Sequence, residues 1–224
     1  MHRRIKSFVL RAGRTSNRQE HALTHHFPKY ALSNQEEVWD LTKEFGRDAE
    51  TIVEIGFGMG HSLAAMAQTQ PEINFIGVEV HLAGVGSLAA DLEDLALSNV
   101  RIANFDAVQV FRSHLADCSL EGIQIFFPDP WPKKRHHKRR LIQSEFIELM
   151  VSKLKIGGFI HCATDWEDYA MHMLEVLSAN NKLQNQQSVG GFSPKPESRP
   201  LTKFEQRGQR LGHGVWDLIY KRTQ

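Results

Sequence analysis

Residues 125–140, Ile-Phe-Phe-Pro-Asp-Pro-Trp-Pro-Lys-Lys-Arg-His-His-Lys-Arg-Arg, hold the densest chemistry in the chain. An apolar run delivers one carboxylate, Asp129, between two prolines that stiffen its turn. Trp131 stands beside it, available to wall a pocket. Six of the eight residues from Lys133 to Arg140 are cations: Lys133, Lys134, Arg135, Lys138, Arg139 and Arg140. A solvated face is the ordinary reading of such a run. Here it abuts a motif of catalytic type, and cations at this density suit several phosphate contacts at once. His136 and His137 extend the same face. An aromatic beside a fixed carboxylate suits a base that has left its stack. A mononucleotide would need no such run, so the expected substrate is a nucleic acid.

A second group lies upstream. Thr51-Ile-Val-Glu-Ile-Gly-Phe-Gly-Met-Gly60 runs a strand into Gly56, Gly58 and Gly60. Glycines there allow a tight turn and close approach of a ligand to backbone. A dinucleotide site would show G-x-G-x-x-G with its pyrophosphate on a helix N-terminus. This loop is G-x-G-x-G, and Glu54 precedes it by two residues. A carboxylate at that place suits a ligand bearing an amino group and a sulfonium rather than phosphates. Glu79 ends the next strand, where an acid can hold a ribose diol. Asp106 follows the third strand and could meet an adenine amino group. Acids at successive strand ends form a cup for a cationic adenosyl ligand, a pattern that resembles the Class I S-adenosylmethionine-dependent methyltransferases.

The elements that must position these residues alternate. Strands are predicted at 51–55, 73–79, 100–103, 122–127 and 159–163. Helices are predicted at 61–68, 82–97 (apolar face Leu88, Leu92, Leu95), 107–115, 141–154 (closing at Gly157-Gly158) and 166–178. Ser33 with Glu36 three residues later has the capping-box pattern, opening a helix to about Phe45. Such alternation predicts an α/β, Rossmann-like fold: a mostly parallel central sheet with helices on both faces. Residues 189–200 read as a long loop. A last strand near 214–221 alternates less cleanly and is expected at an edge, antiparallel to the rest. Residues 1–32 lack sustained periodicity and read as a basic, partly flexible arm. Residues 33–224 read as one domain.

The chain has 224 residues and a net charge of +1 that conceals strong segregation. Residues 1–30 carry seven Lys/Arg against one acid, residues 31–128 four against fifteen, and residues 129–140 six against one. An acidic body with two basic segments predicts a localised polyanion footprint. No apolar run approaches the ~20 residues that span a bilayer. Cys118 and Cys162 lack metal-site spacing and suit a reducing compartment, so a cytoplasmic location is expected. An Arg-rich start could alternatively serve as an organelle transit sequence. His25-His26 and His136-His137 have no ligand spacing, and no metal is expected.

Taken together, the chain resembles the bacterial tRNA (guanine-N7-)-methyltransferase family over nearly its whole length. The resemblance rests on Phe8-Val-Leu-Arg-Ala-Gly-Arg14, Val53–Gly60, Phe127-Pro-Asp-Pro-Trp-Pro-Lys133 with its basic tail, Ala163-Thr-Asp-Trp-Glu167 and Arg199-Pro-Leu-Thr-Lys-Phe-Glu205. It implies cofactor binding at Glu54, Glu79, Asp106 and Asp129, with Asp129 at the catalytic centre. It also implies guanosine binding at Lys133, Asp165, Thr202, Lys203, Phe204 and Glu205. Asp165 could alternatively cap the helix that follows it. The implied partner is tRNA, methylated in its variable loop by a monomer or homodimer. A methyltransferase acting on another RNA, or a catalytically silent RNA-binding relative, is the alternative.

Overall fold

Strands β1 (Thr51–Ile55) and β2 (Asn74–Val78) are buried at every position, as parallel strands covered on both faces must be. The computed structural model describes Ser7, Phe8, residues 14–201, Glu205 and residues 214–224. The sheet adds β3 (Val100–Ala103), β4 (Leu120–Phe126), β5 (Leu154–Thr164), β6 (Leu183–Asn185) and β7 (Trp216–Arg222). Its order is β3-β2-β1-β4-β5-β7-β6. The first five strands run parallel, and β7 is antiparallel to both β5 and β6. The order reverses between β1 and β4, whose ends lie side by side because Ile55 pairs with Ile125. Ligands of open parallel sheets bind at such a reversal, beyond the carboxyl ends of the strands. The glycine loop and the Pro-Asp-Pro-Trp loop both emerge there.

One apolar cluster contains Phe111, Phe146, Met150, Tyr169 and Leu218. A second contains Leu63, Met66, Phe75, Leu88 and Leu92. Helices α4 (His61–Thr69), α5 (Leu82–Asp94), α7 (Ser144–Lys153) and α8 (Glu167–Ser178) carry much of both. The helix after β3 is α-helical only over Ala107–Gln109 (α6) and continues as a π turn at Val110–His114. Among the described residues no helix is long and apolar enough to cross a membrane.

Several expectations are corrected. The capping box belongs to Ser16 and Gln19, opening α1 (Asn17–His25), and not to Ser33. Ser33 Oγ instead accepts from Gln35 N at 3.1 Å in a turn. After a short α2 (Phe27–Tyr30), the next helix, α3, spans only Leu41–Phe45, capped by Asp40. Residues 16–31 are therefore not loosely ordered. Arg18 pairs with Asp91 and Asp94 on α5, Lys29 pairs with Glu93, and Ala31 bridges to Ile102 at the sheet edge. Gly86 lets α1 lie this close, since a Cβ there would sit 2.7 Å from the Gln19 carbonyl oxygen. Helix α7 stops at Lys153 and β5 begins at once. Gly157 and Gly158 thus lie inside the strand, where pairing with β4 shifts register. Leu95 ends α5 as its C-cap and is exposed rather than buried with Leu88 and Leu92. Strand β7 is interior, with β6 outside it, so the C-terminal strand is not an edge.

Candidate active site

The loop after β1 is left-handed at Gly56, Gly58 and Gly60, with φ of 75°, 58° and 81°. Gly60 is constrained twice, because a Cβ would also sit 2.6 Å from Leu88 Cβ. Its compactness brings Gly58 N to 3.0 Å from Glu79 Oε2. Glu79 Oε1 accepts from Val80 N at 2.6 Å and His81 N at 3.0 Å. Three backbone donors thus fix this carboxylate, and Oε2 accepts only one of them, keeping acceptor capacity for a ligand.

Glu54 is treated in the opposite way. It is 3% exposed, and its Oε2 finds no partner among the described residues. Burial, with Glu79 nearby, pushes its carboxyl up to about 8. A buried acid without a partner invites a cation, and an ammonium placed there would restore the ionised form.

Two cavities share a wall. One, about 190 Å³, lies between Val78–His81, Phe105, Ala107, Leu141 and the Ser7-Phe8 segment. The other, about 810 Å³, lies between Glu54, the glycine loop, Asp165, Pro200 and Leu201. Gly56 and Phe126–Asp129 line both. Asp129 stands at this junction, between Phe127 and Trp131, which hold φ of 52° and 48°. Left-handed backbone at two bulky aromatics costs about 1–3 kcal/mol each and is concentrated at functional sites. The prolines between them leave the chain few ways to relax.

The remaining expected residues divide. Asp165 lines the larger cavity. It does not cap α8, whose N-cap is Trp166 without a side-chain bond. Asp106 lines neither cavity although its neighbours Phe105 and Ala107 line the smaller one; its carboxylate caps α6 by accepting from Val108 N at 2.9 Å. Lys133, Lys134, Arg135 and Lys138 are exposed on and beside a 3-10 turn at Lys134–Arg139, which also carries His136. Arg140 differs from them, for it is buried and paired with Asp168. Trp131 lines neither of these two cavities. Its indole donates to Ser7 O at 3.1 Å, and the Arg139 guanidinium covers its ring at 4.0 Å. Phe126 and Phe127 supply the aromatic wall instead. Thr202, Lys203 and Phe204 lie outside the described residues, as do residues 9–13 of the N-terminal motif. Glu205 is 1% exposed and accepts from both Nη atoms of Arg199 at 2.7 and 3.0 Å.

Sequence reasoning gave no role to Arg199. Its guanidinium also bonds Asp217 of β7 at 2.8 and 2.9 Å, and Asp217 Oδ1 lies 2.7 Å from His161 Nε2 on β5. Burial opposes ionisation of Asp217, but the His161 and Arg199 bonds outweigh it and hold its carboxyl below the usual range. The same guanidinium lies 5.9 and 5.6 Å from the Phe126 and Phe127 rings. An arginine in a proline-rich loop gives no sign of partners on distant strands. Among the described residues, no group of three or more His, Cys, Asp or Glu could hold a metal ion.

A family model described as "Putative methyltransferase" matches residues 48–218. The chain is 63% identical over 222 residues to a tRNA (guanine-N(7)-)-methyltransferase of Legionella pneumophila strain Paris, covering 98% of this chain and 94% of that one. It is 54% identical to the protein of the same name from Shewanella amazonensis, covering 99% and 93%. Among solved structures, the 16S rRNA methyltransferase KamB aligns with a TM-score of 0.61 at 12% identity, over 87% of this chain and 99% of that one. At that identity the likeness concerns the fold alone.

Proposed function

The chain belongs to the tRNA (guanine-N(7)-)-methyltransferase family, and from that premise we propose that it methylates N7 of a guanine in the tRNA variable loop. The products are 7-methylguanosine and S-adenosylhomocysteine. The observation that carries the reading is the position of Asp129 in the wall common to two cavities, beside an exposed run of cations.

The residues fit S-adenosylmethionine. Glu54, buried and unpartnered at Oε2, suits its ammonium; Glu79, held by backbone, suits its ribose; Gly56 opens onto both cavities. When bound, this cofactor supplies a methyl group on a sulfonium. N7 of guanine carries a lone pair and no proton, so the protein needs no base to free the nucleophile. Transfer to that lone pair would form a C–N bond as the cofactor's C–S bond broke, leaving positive charge on the purine. What Asp129 contributes is geometry and a negative charge aimed at the base. Accepting from N1 and N2 of guanine would serve both ends. Phe126 and Phe127 offer apolar faces to the base, and Lys134, Arg135 and Lys138 offer phosphate contacts. Free thiols at Cys118 and Cys162 support a cytoplasmic setting.

The test is transfer of labelled methyl to tRNA from a strain lacking 7-methylguanosine, followed by nucleoside analysis. Label in 7-methylguanosine is expected. Label in another nucleoside, or in none, contradicts the proposal.

A further inference from the structure

The last cation of the basic run is turned inward. The Arg140 side chain is 2% exposed, whereas Lys133, Lys134, Arg135 and Lys138 face solvent. Its Nε donates to the carbonyl of Pro130 at 3.0 Å, next to Asp129 in the chain. An Nη donates to Asp168 Oδ2 and lies 3.2 Å from His137 Nε2. The guanidinium sits 4.8 Å over the Tyr169 ring. Asp168 belongs to the first turn of α8, three residues after Asp165, and the Arg140 bond holds its carboxyl below the usual range. Asp129, Pro130 and Asp165 line one cavity.

A guanidinium presents its donors in a fixed plane, so two bonds from one fork set the separation of the groups they reach. One end of this fork is the backbone of the loop after β4. The other is the start of the helix after β5. We infer that Arg140 is a positioning residue that ties these two loops together and so fixes Asp129 against Asp165 across the cavity that both line, an inference that rests on the proposed methyl transfer. Lysine cannot replace it, since a point charge reaches the Pro130 carbonyl or the Asp168 carboxylate but does not hold both in one plane. Tyr169 adds to the arrangement from below, as its hydroxyl accepts from Ile142 N at 3.1 Å, two residues beyond Arg140.

A phosphate contact and a positioning residue leave different kinetic marks. Losing a phosphate contact raises KM for tRNA and makes the salt dependence shallower. Losing alignment lowers kcat at every salt concentration, and a misplacement of about 1 Å can cost on the order of 100-fold. The experiment compares the full chain with Arg140→Lys, Asp168→Asn and Lys138→Ala. It measures kcat and KM for tRNA at low and high salt, S-adenosylmethionine affinity by calorimetry, and amide hydrogen exchange at Phe127, Asp129 and Trp131. Arg140→Lys is expected to lower kcat by about 10- to 100-fold, with KM, salt dependence and cofactor affinity unchanged and with faster exchange in the loop. Asp168→Asn, a change at an exposed side chain, should lower kcat several-fold in the same pattern. Lys138→Ala should raise KM instead. Unchanged kcat in both Arg140→Lys and Asp168→Asn, or a raised KM with shallower salt dependence in Arg140→Lys, would overturn the inference. If Arg140→Lys does not fold, an unchanged kcat in Asp168→Asn overturns it alone. If the unaltered chain transfers no methyl, the functional reading fails, and unchanged loop exchange in Arg140→Lys then overturns the tie separately.

Discussion

On the side proposed to hold the cofactor, Glu79 is held by three backbone N–H groups, two of them from the residues that follow it. On the side proposed to receive the RNA, Glu205 is held by the guanidinium of Arg199, and the loop carrying Asp129 by that of Arg140. The first wall is built within residues 54–81, from a strand, a tight loop and the next strand end. The second gathers residues 126–140, 165–168, 199 and 205, and joins them to β5 and β7 through Asp217 and His161. A wall made of local backbone holds its shape through a loop that glycine alone fits. A wall made of loops from several strands needs long, charged side chains to span the gaps. The division suits the ligands: one small molecule of fixed shape on one side, a large RNA on the other.

The sharpest way to break this division is Asp129→Asn. Turnover should fall by about 100- to 1000-fold, while S-adenosylmethionine affinity by calorimetry stays within about twofold, since the carboxylates proposed to hold it, Glu54 and Glu79, lie on the other wall. A parallel loss of cofactor binding would erase the distinction. Gly60→Ala attacks the local wall. A left-handed φ and the approach to Leu88 leave no room for a methyl group, and urea unfolding should show a stability loss of about 3 kcal/mol. A loss below half of that would mean the loop can relax.

Glu54 should make cofactor binding depend on pH. Its carboxyl, raised to about 8, is neutral below that pH, and a bound ammonium requires the ionised form. Binding therefore releases a proton below pH 8, and affinity should rise with pH by up to about tenfold per unit between pH 6 and 7.5. The rise should level off as the ligand's own amino group loses its proton near 7.7–8.0. Glu54→Gln should lower the affinity and flatten the curve; a wild-type curve already flat would show that Glu54 does not meet the ammonium. The smallest effect belongs to the outer face. Replacing Lys134, Arg135 and Lys138 by alanine should raise KM for tRNA and reduce the salt slope by about 2, with kcat unchanged.

This same contrast decides what was legible in the sequence. Strand periodicity and loop glycines mark β1–β4 and the end of β5 because those features are local, whereas the start of β5 at Leu154 is hidden behind a helical pattern. The Pro-Asp-Pro-Trp run likewise singles out Asp129 as a candidate. Arg140 looked like one more cation of a basic run, and nothing in its neighbours reveals that the chain folds it back onto Pro130 and Asp168. Arg199, Asp217 and His161 meet only after β7 pairs with β5, across more than fifty residues of chain. Helix α1 escaped for another reason. Its buried residue is Ala22, and its contact with α5 depends on Gly86, so small residues do what an apolar stripe would have advertised. Trp131 turns away from both cavities, which Phe126 and Phe127 line, because an aromatic's direction depends on the left-handed backbone around it.

The proposed acceptor is a single atom of guanine, and one substitution in the RNA removes it. Methyl transfer would be measured on two tRNAs that differ only in the variable-loop guanine, one unmodified and one carrying 7-deazaguanine, which replaces N7 by carbon. One methyl per unmodified tRNA and none on the 7-deaza form are expected. Equal labelling of both would contradict it, placing the methyl on another atom or another residue.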